Sequence, residues 1–553
     1  MSIRQRPPTQ PKWSVRNISY NPQVCSFVPV FDMDSKDEAG ISIHDEVAGK
    51  QSVRDDAVGT VRLYEADALV LIPTPSPDPR DPLNLPQWRK WLITITLGIC
   101  AILTDVSASY GNDPRVEDLM TYPTLFMGIG NLIAMPVAMA VGRRPVFLGS
   151  ALVLMIGSIW CATSTSLSSH IAGRDILSMA AGQSEALCPL IIQEIHFLHE
   201  KSAMLAWFSA IQSMGTAALL ISTPYLVQSF GWKWWYGVFG IVNGGILILA
   251  FLFVPESRYQ RPTDAFEGAV HIHRQGHNDR IMRATTYHGV VLDLVRFKPR
   301  SIWNDIKIFH GPADWNALVT CLVQMIQCLS FPNILWVVLM NSTVLGIYVI
   351  MVSEYAGILS APPYNFAFTS LGYVQTGQIA MAVIMIPVLG YGGDLLTRKL
   401  AERRGGVAEP EDRLIPMVLP VVIVTISCLF FGRAGSHPNH WSYWTIIITY
   451  SAEYFGFISV VLLGYTYSLD SYPERAGPIL VLICAVRGLI SFGISFGVTR
   501  FITQLGYTRA LDVCAIVMGV VGALGIPVYV FGRKIRLGTQ KWAVDNQDLN
   551  VEQ

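Results

Sequence analysis

The sequence predicts an all-α membrane protein: twelve transmembrane helices in two six-helix bundles. Three observations predict it. Of 553 residues, 51% are hydrophobic and 14% charged, against about 25% charged in an ordinary soluble chain. The charges gather in the first 90 positions, near 255–315 and in short clusters. Between the clusters run apolar stretches of about 18–28 residues, enough to cross about 30 Å of hydrocarbon as helix.

Residues 1–87 mix Arg, Pro, Gln and Ser, punctuated by Pro73, Pro75, Pro77, Pro79 and Pro82. They hold no signal-peptide core and are read as a disordered cytoplasmic arm. The arm ends in Trp88-Arg89-Lys90-Trp91, where indole rings and cations suit a membrane interface. Spans are expected near 91–110, 121–141, 145–165, 171–196, 203–229 and 233–254, so the first bundle covers 88–254. A polar loop, 255–315, follows. The second bundle, 316–532, opens with an apolar segment at 316–329 placed in the interface. Its spans lie near 331–357, 371–391, 413–432, 441–468, 475–499 and 508–531, and a tail, 533–553, ends the chain.

Lys and Arg concentrate in alternate loops: Arg143 and Arg144, Lys201, the central loop, Arg398 to Arg413, Arg475, and Arg533 to Arg536. The positive-inside rule then puts both termini in the cytoplasm. The formal net charge is +0, so no basic footprint for nucleic acid exists. The cysteines sit mostly singly in apolar runs, with no metal-ligand spacing. No P-loop or catalytic constellation occurs, so neither an enzyme, a metal nor a cofactor is expected.

Charged residues inside spans are costly, by about 2.5–3.5 kcal/mol each on insertion scales, and are candidates for function. They are Asp105 in span 1, Arg174, Glu185 and Glu194 in span 4, Glu354 in span 7, Glu453 in span 10 and Arg487 in span 11. Arg487 is deep enough to need a partner, and Glu453, also well within its span, is a candidate. A structural ion pair and a transport role are both open for these groups. Tyr450, Tyr454, Tyr465 and Tyr467 could line a cavity or simply pack. Gly240 with Gly244, and Gly493 with Gly497, form small-xxx-small faces that would let helices approach closely.

Between spans 2 and 3 stands Gly142-Arg143-Arg144-Pro145: a glycine turn, two cations and a proline that starts the next helix. This resembles the loop motif of the major facilitator superfamily. Further segments resemble its fungal drug:proton antiporter-like group, in order: Pro75-Ser76-Pro77-Asp78-Pro79-Arg80-Asp81-Pro82-Leu83-Asn84, Gly128-Ile129-Gly130-Asn131, Val254-Pro255-Glu256-Ser257-Arg258-Tyr259, Ala361-Pro362-Pro363-Tyr364-Asn365-Phe366, Gly393-Asp394 and Asp470-Ser471-Tyr472-Pro473. They span about 75–535. The resemblance implies the major facilitator fold, and a monomer that moves a small organic molecule by alternating access, coupled to protons. It implies a proton-coupling role for Arg174, with Glu185 as proton carrier, and a conformational role for Gly142, Arg143, Arg144 and Asp394. It favours export of a drug, toxin or secondary metabolite across the plasma membrane. Nutrient uptake and a non-transporting receptor are the alternatives.

Three departures stand out. Ala140 and Val141 replace the Asp-Arg that usually precedes the motif glycine. Gly215 is followed by Thr216 where the antiporter motif has Gly-Pro. The stretch from Ser109 to Gly142 is shorter than such relatives have.

Overall fold

The computed structural model describes residues 57–65, 68–100, 118–259, 270–272, 280–282 and 299–543. Asp105 lies outside them. Helices α1 (Gln87–Cys100), α2 (Asp118–Val141), α3 (Arg143–Thr163), α4 (Leu167–Ile195), α5 (Lys201–Phe230) and α6 (Trp232–Phe253) build the first bundle. After the short α7 (Ile302–Ile306) come α8 (Trp315–Cys328) and α9 (Pro332–Ser360). The eighth span is broken into α10 (Phe368–Leu371), α11 (Thr376–Met385) and α12 (Gly392–Arg403), joined through 372–375 and a wider π-turn at 386–391 containing Pro387. Then follow α13 (Val418–Ser436), α14 (Tyr443–Ser471), α15 (Ala476–Ala523) and α16 (Gly525–Ala543).

Among the described residues, nine stretches are long and apolar enough to cross a membrane. One of them, Pro473–Gln540, breaks at Gly506 (φ 73°, ψ 161°) and supplies two passes. A residue with a Cβ is strained at that φ, so glycine permits the break. The break lies beside the end of α13, where Thr508 Oγ1 meets Ser436 Oγ at 2.7 Å. With the charged helix α4 and α1, of which 14 residues are described, the described residues are consistent with twelve spans.

The bundles meet where α2 and α4 pack on α15, and where α5 packs on α11 and α14. Of the glycines the small-residue spacing suggests, Gly240 and Gly244 sit against α3, a Cβ there standing 3.5 Å from Ile159 and 3.4 Å from Met155 Sδ, but the tightest approaches are made by others. A Cβ on Gly182 would stand 2.1 Å from Met127 O, and one on Gly130 2.0 Å from Met179 O, so α2 and α4 touch backbone to backbone. Gly128 and Gly488 do the same for α2 and α15, their facing atoms leaving 3.0 Å for a Cβ. Gly493 and Gly497 face open space, which corrects the packing expected of them: the spacing was right but that helix face meets no neighbour.

Two further segments flank the spans. Helix α8 packs on both α2 and α15 through Cys321, Gln324, Met325 and Cys328, leaving Val319, Val323 and Ile326 exposed. Residues 57–65 and 68–86, inside the arm expected to be disordered, form an ordered strap. Val61–Arg62 pairs antiparallel with Val407–Ala408 in the second bundle. Leu63, Val70 and Ile72 pack on Ala401 and Ala408, with Leu198 of the first bundle beside them. Leu71 and Leu83 pack on Phe197. Leu198 N–H donates to Ile72 O at 2.7 Å. The Pro-rich stretch that follows is a built turn: Asp81 accepts from Ser76 N and Leu83 N, and Asn84 Nδ2 donates to the carbonyls of Ser76 and Asp78. Burial of a few aliphatic side chains, each contributing about 1.5–3 kcal/mol, orders a segment whose composition alone reads as solvated.

Candidate functional site: a cavity and a clasp between two bundles

A cavity of about 130 Å³ lies between the bundles. Its first wall comes from α4 and α5: Glu185, Pro189, Leu205, Phe208, and the polar row Ser209, Gln212, Ser213 and Thr216. The row follows i, i+3, i+4, i+7, so a single helix face presents it. The second wall comes from α14, with Tyr454, Phe457, Ile458, Val461, Leu462 and Tyr465, and from Arg487 on α15. Tyr454 shares a hydrogen bond with Ser213 across the cavity.

Arg487 Nη2 donates to Glu185 Oε2 in a short ion pair that joins the bundles. The guanidinium side chain is 5% exposed and the carboxylate 20%. Expectation paired Arg487 with Glu453; the structure gives it Glu185. Glu453 is buried in the second bundle, with electrostatic neighbours Tyr348, Tyr454 and Cys428, and does not line the cavity. Both residues point inward from their spans, but α14 turns Glu453 away from α15. Arg174 sits eleven residues before Glu185 on α4, about 16 Å away along the axis, against Tyr236 of α6 and its neighbour Asp175. The charge beside Glu185 is therefore Arg487, not Arg174.

A second polar centre lies at the end of the molecule where the basic loops gather, called here the basic end. Gly142 (φ 127°) ends α2 and begins α3. A Cβ there would stand 2.6 Å from Glu256 Oε2. The Glu256 carboxylate instead accepts from Arg143 N–H at 2.9 Å and Arg144 N–H at 3.1 Å, a helix N-terminus capped by an anion from elsewhere in the chain. The Arg143 guanidinium pairs with Glu194 at 2.8 Å. Arg144 is buried and donates to the carbonyls of Phe251 (2.7 Å), Val254 and Ile306. The glycine and both arginines thus tie α2, α3, α4 and α6 together within the first bundle.

Asp394 works across the bundles. Its Oδ2 accepts from Ala203 N–H at the start of α5 (3.2 Å), and its Oδ1 pairs with Arg413 at 2.9 Å. Arg413 also pairs with Asp470 at 2.9 Å and reaches Ser202 and Leu198 O. Lys201 completes the group with Asp470 at 3.3 Å. These are buried, and they clasp α5 of the first bundle to α12, to the turn at Pro410–Met417 before α13, and to α14 of the second. Lys201, Arg413 and Asp470 were legible in the sequence only as loop charges. Beside the clasp, the half-buried His199 is pushed down to about 4 by burial, then by Arg398 and Lys90. His196 is pushed down to about 3 by burial and Lys90. At the opposite end the bundles touch through a 2.7 Å bond between the hydroxyls of Tyr225 and Tyr373.

Among the described residues no group of three or more His, Cys, Asp or Glu could hold a metal ion. The arrangement offers binding and charge pairing in a cavity between two helix bundles.

Comparison with known proteins agrees in scale with this architecture. The family model of the Major Facilitator Superfamily matches residues 90–480. An uncharacterized MFS-type transporter of Schizosaccharomyces pombe is 25% identical over 528 residues, covering 86% of this chain and 89% of its own. The efflux pump FUBT of Fusarium oxysporum is 22% identical over 475 residues, covering 82% and 74%. The solved structure of the proton:xylose symporter XylE superposes with a TM-score of 0.53 at 13% identity, over 80% of this chain and 95% of that one.

Proposed function

The chain belongs to the Major Facilitator Superfamily and is a multi-pass membrane transporter, not an enzyme; from that premise we propose that it exports a small organic molecule by proton-coupled alternating access. The observation that carries the reading is the Glu185–Arg487 pair, one charge from each bundle, in the cavity between them. In the arrangement described, the clasp of Lys201, Asp394, Arg413 and Asp470 closes the basic end. Opening that end breaks these contacts and exposes the cavity to the other side. Glu185 takes up and releases a proton. Protonation removes its attraction for Arg487, so the proton alters what holds the bundles together. Export is favoured by the relatives named efflux pumps. In this reading the chain works as a monomer in the plasma membrane, with both termini in the cytoplasm.

The test is flux. Cells overproducing the chain are loaded with a panel of fluorescent dyes of both charges, and efflux is followed with and without a protonophore. Accelerated efflux that the protonophore abolishes, and that E185Q loses, is expected. Dye accumulation instead of loss would reverse the direction. Efflux indifferent to the proton gradient would remove the coupling.

A further inference from the structure

We propose that the cavity takes an organic anion carrying a flat apolar ring, bound at Arg487 while Glu185 holds a proton, and that it rejects organic cations of the same size. This rests on the alternating-access and proton-carrier parts of the reading above and names the substrate class; it does not rest on the direction, since an anion and a proton held together move as a pair, which favours the uptake alternative.

The argument is one of charge. Among the described residues lining the cavity, Glu185 and Arg487 are the only ones that carry a full charge, and they neutralise each other. Arg487 is a permanent cation, seated behind the carboxylate at 5% exposure. A cationic substrate entering this cavity leaves a net positive charge between two apolar bundles. A buried charge without a partner is costly. An anion entering alone leaves a net negative charge. An anion entering with one proton leaves the cavity neutral: the proton passes from water in the cavity to a Glu185 oxygen, and the anion replaces that carboxylate on the guanidinium. No bond to the substrate forms or breaks.

The groups that meet Glu185 allow this exchange. Arg487 and Cys484 face it from α15 and Tyr465 from α14. The cavity face of α5 adds Ser209, Gln212, Ser213 and Thr216, none of which titrates near neutral pH. The part of α2 against this stretch of α4 is packed by the glycine contacts around Gly182 and brings no charge. At 20% exposure Glu185 is the member of the pair that water reaches. The guanidinium fork suits a carboxylate, sulfonate or phosphate. Tyr454, Phe457 and Tyr465 offer faces to a ring, while the α5 hydroxyls and amide offer polar contacts opposite them.

The probes are benzenesulfonate and benzyltrimethylammonium, similar in size and permanently charged. Binding to the purified full chain in detergent is read from the rise in its melting temperature. Benzenesulfonate is expected to protect E185Q, whose neutral amide mimics the protonated acid, at a half-saturating concentration about tenfold below that of the parent chain at pH 7.5. It is expected to protect the parent more strongly at pH 5.5 than at pH 7.5, a comparison that needs no variant. E185Q/R487Q should lose the effect. Equal or stronger protection by benzyltrimethylammonium, or protection by neither probe, overturns the proposal. Because this is binding, it fails separately from transport: anion protection without proton-dependent efflux sinks the coupling alone, and coupled efflux with cation preference sinks the charge selection alone.

Discussion

Arg487 is the residue on which the cavity's energetics turn. Taking one partner away from a buried ion pair strands the other charge, at a cost of about 3–5 kcal/mol, whereas replacing both by apolar groups is often neutral. R487M should therefore lower the melting temperature markedly, and E185L/R487M should recover most of the loss while transport stays absent. Equal stability of R487M and the parent would mean the pair is solvated and adds little. His199 gives a second residue-scale test. Its folded pKa is near 4 against an ordinary 6.5, so below about pH 6.5 the unfolded chain binds a proton that the folded chain refuses. Stability then falls as pH drops from 6.5 towards 4, by up to about 1.4 kcal/mol per pH unit for such a histidine. Melting of H199Q should be flatter across that window than melting of the parent.

Among the elements, the strap at 57–86 joins parts that must separate. It is paired with Val407–Ala408 on one side and bonded to Leu198 on the other, so it spans the seam the clasp closes. Opening the basic end must detach it from one bundle. Replacing Leu63, Val70 and Ile72 by serine removes its apolar anchors; proteolysis within 57–86 should quicken, and a cysteine placed at the buried Ser202 should react faster with a maleimide. Unchanged reactivity at that cysteine would show that the clasp closes without the strap. The strap also marks where reading the sequence stops. Spans were visible because a run of apolar residues is a local property, and α9, α13 and α14 begin and end within a few residues of their expected limits. The strap is made of six buried leucine, isoleucine and valine side chains, Leu63, Val70, Leu71, Ile72, Leu83 and Leu85, among prolines and polar residues, and nothing local says that Ala401 and Phe197 await them. The Glu185–Arg487 pair was hidden for the same reason: 302 residues separate its members. The polar row on α5 was legible in principle, since its spacing is helical.

For the whole molecule, the two seams at the basic end are unequal. The loop after the second span has Ala140 and Val141 where a carboxylate is usual, and α2 meets the start of α15 through Met139 against Gly477. The equivalent loop of the second bundle keeps Asp394, which caps α5 across the seam and holds Arg413. The apolar seam can slide or rock with little electrostatic change, while the polar seam must break Lys201–Asp470, the bond from Ala203 N–H to Asp394, and the bonds from Arg413 to Ser202 and to Leu198 O. The closed state is then held chiefly by one side, and Arg413 is its centre. R413Q leaves Asp394 and Asp470 with only Lys201 between them. Loss of the Arg413 bonds to Ser202 and Leu198 O, about 1.5–3 kcal/mol for a charged donor, would shift the balance between closed and open forms by about one to two powers of ten. Nitroxides at Glu200 and Glu402, one on each bundle, should report one short distance in the parent chain and a longer, dominant one in R413Q. A similar shift should follow D394N, and none should follow M139L on the apolar seam. Should R413Q keep the short distance, the clasp would be a passenger of closure, and the bundles would be held by the apolar contacts of α2, α8 and α15 instead.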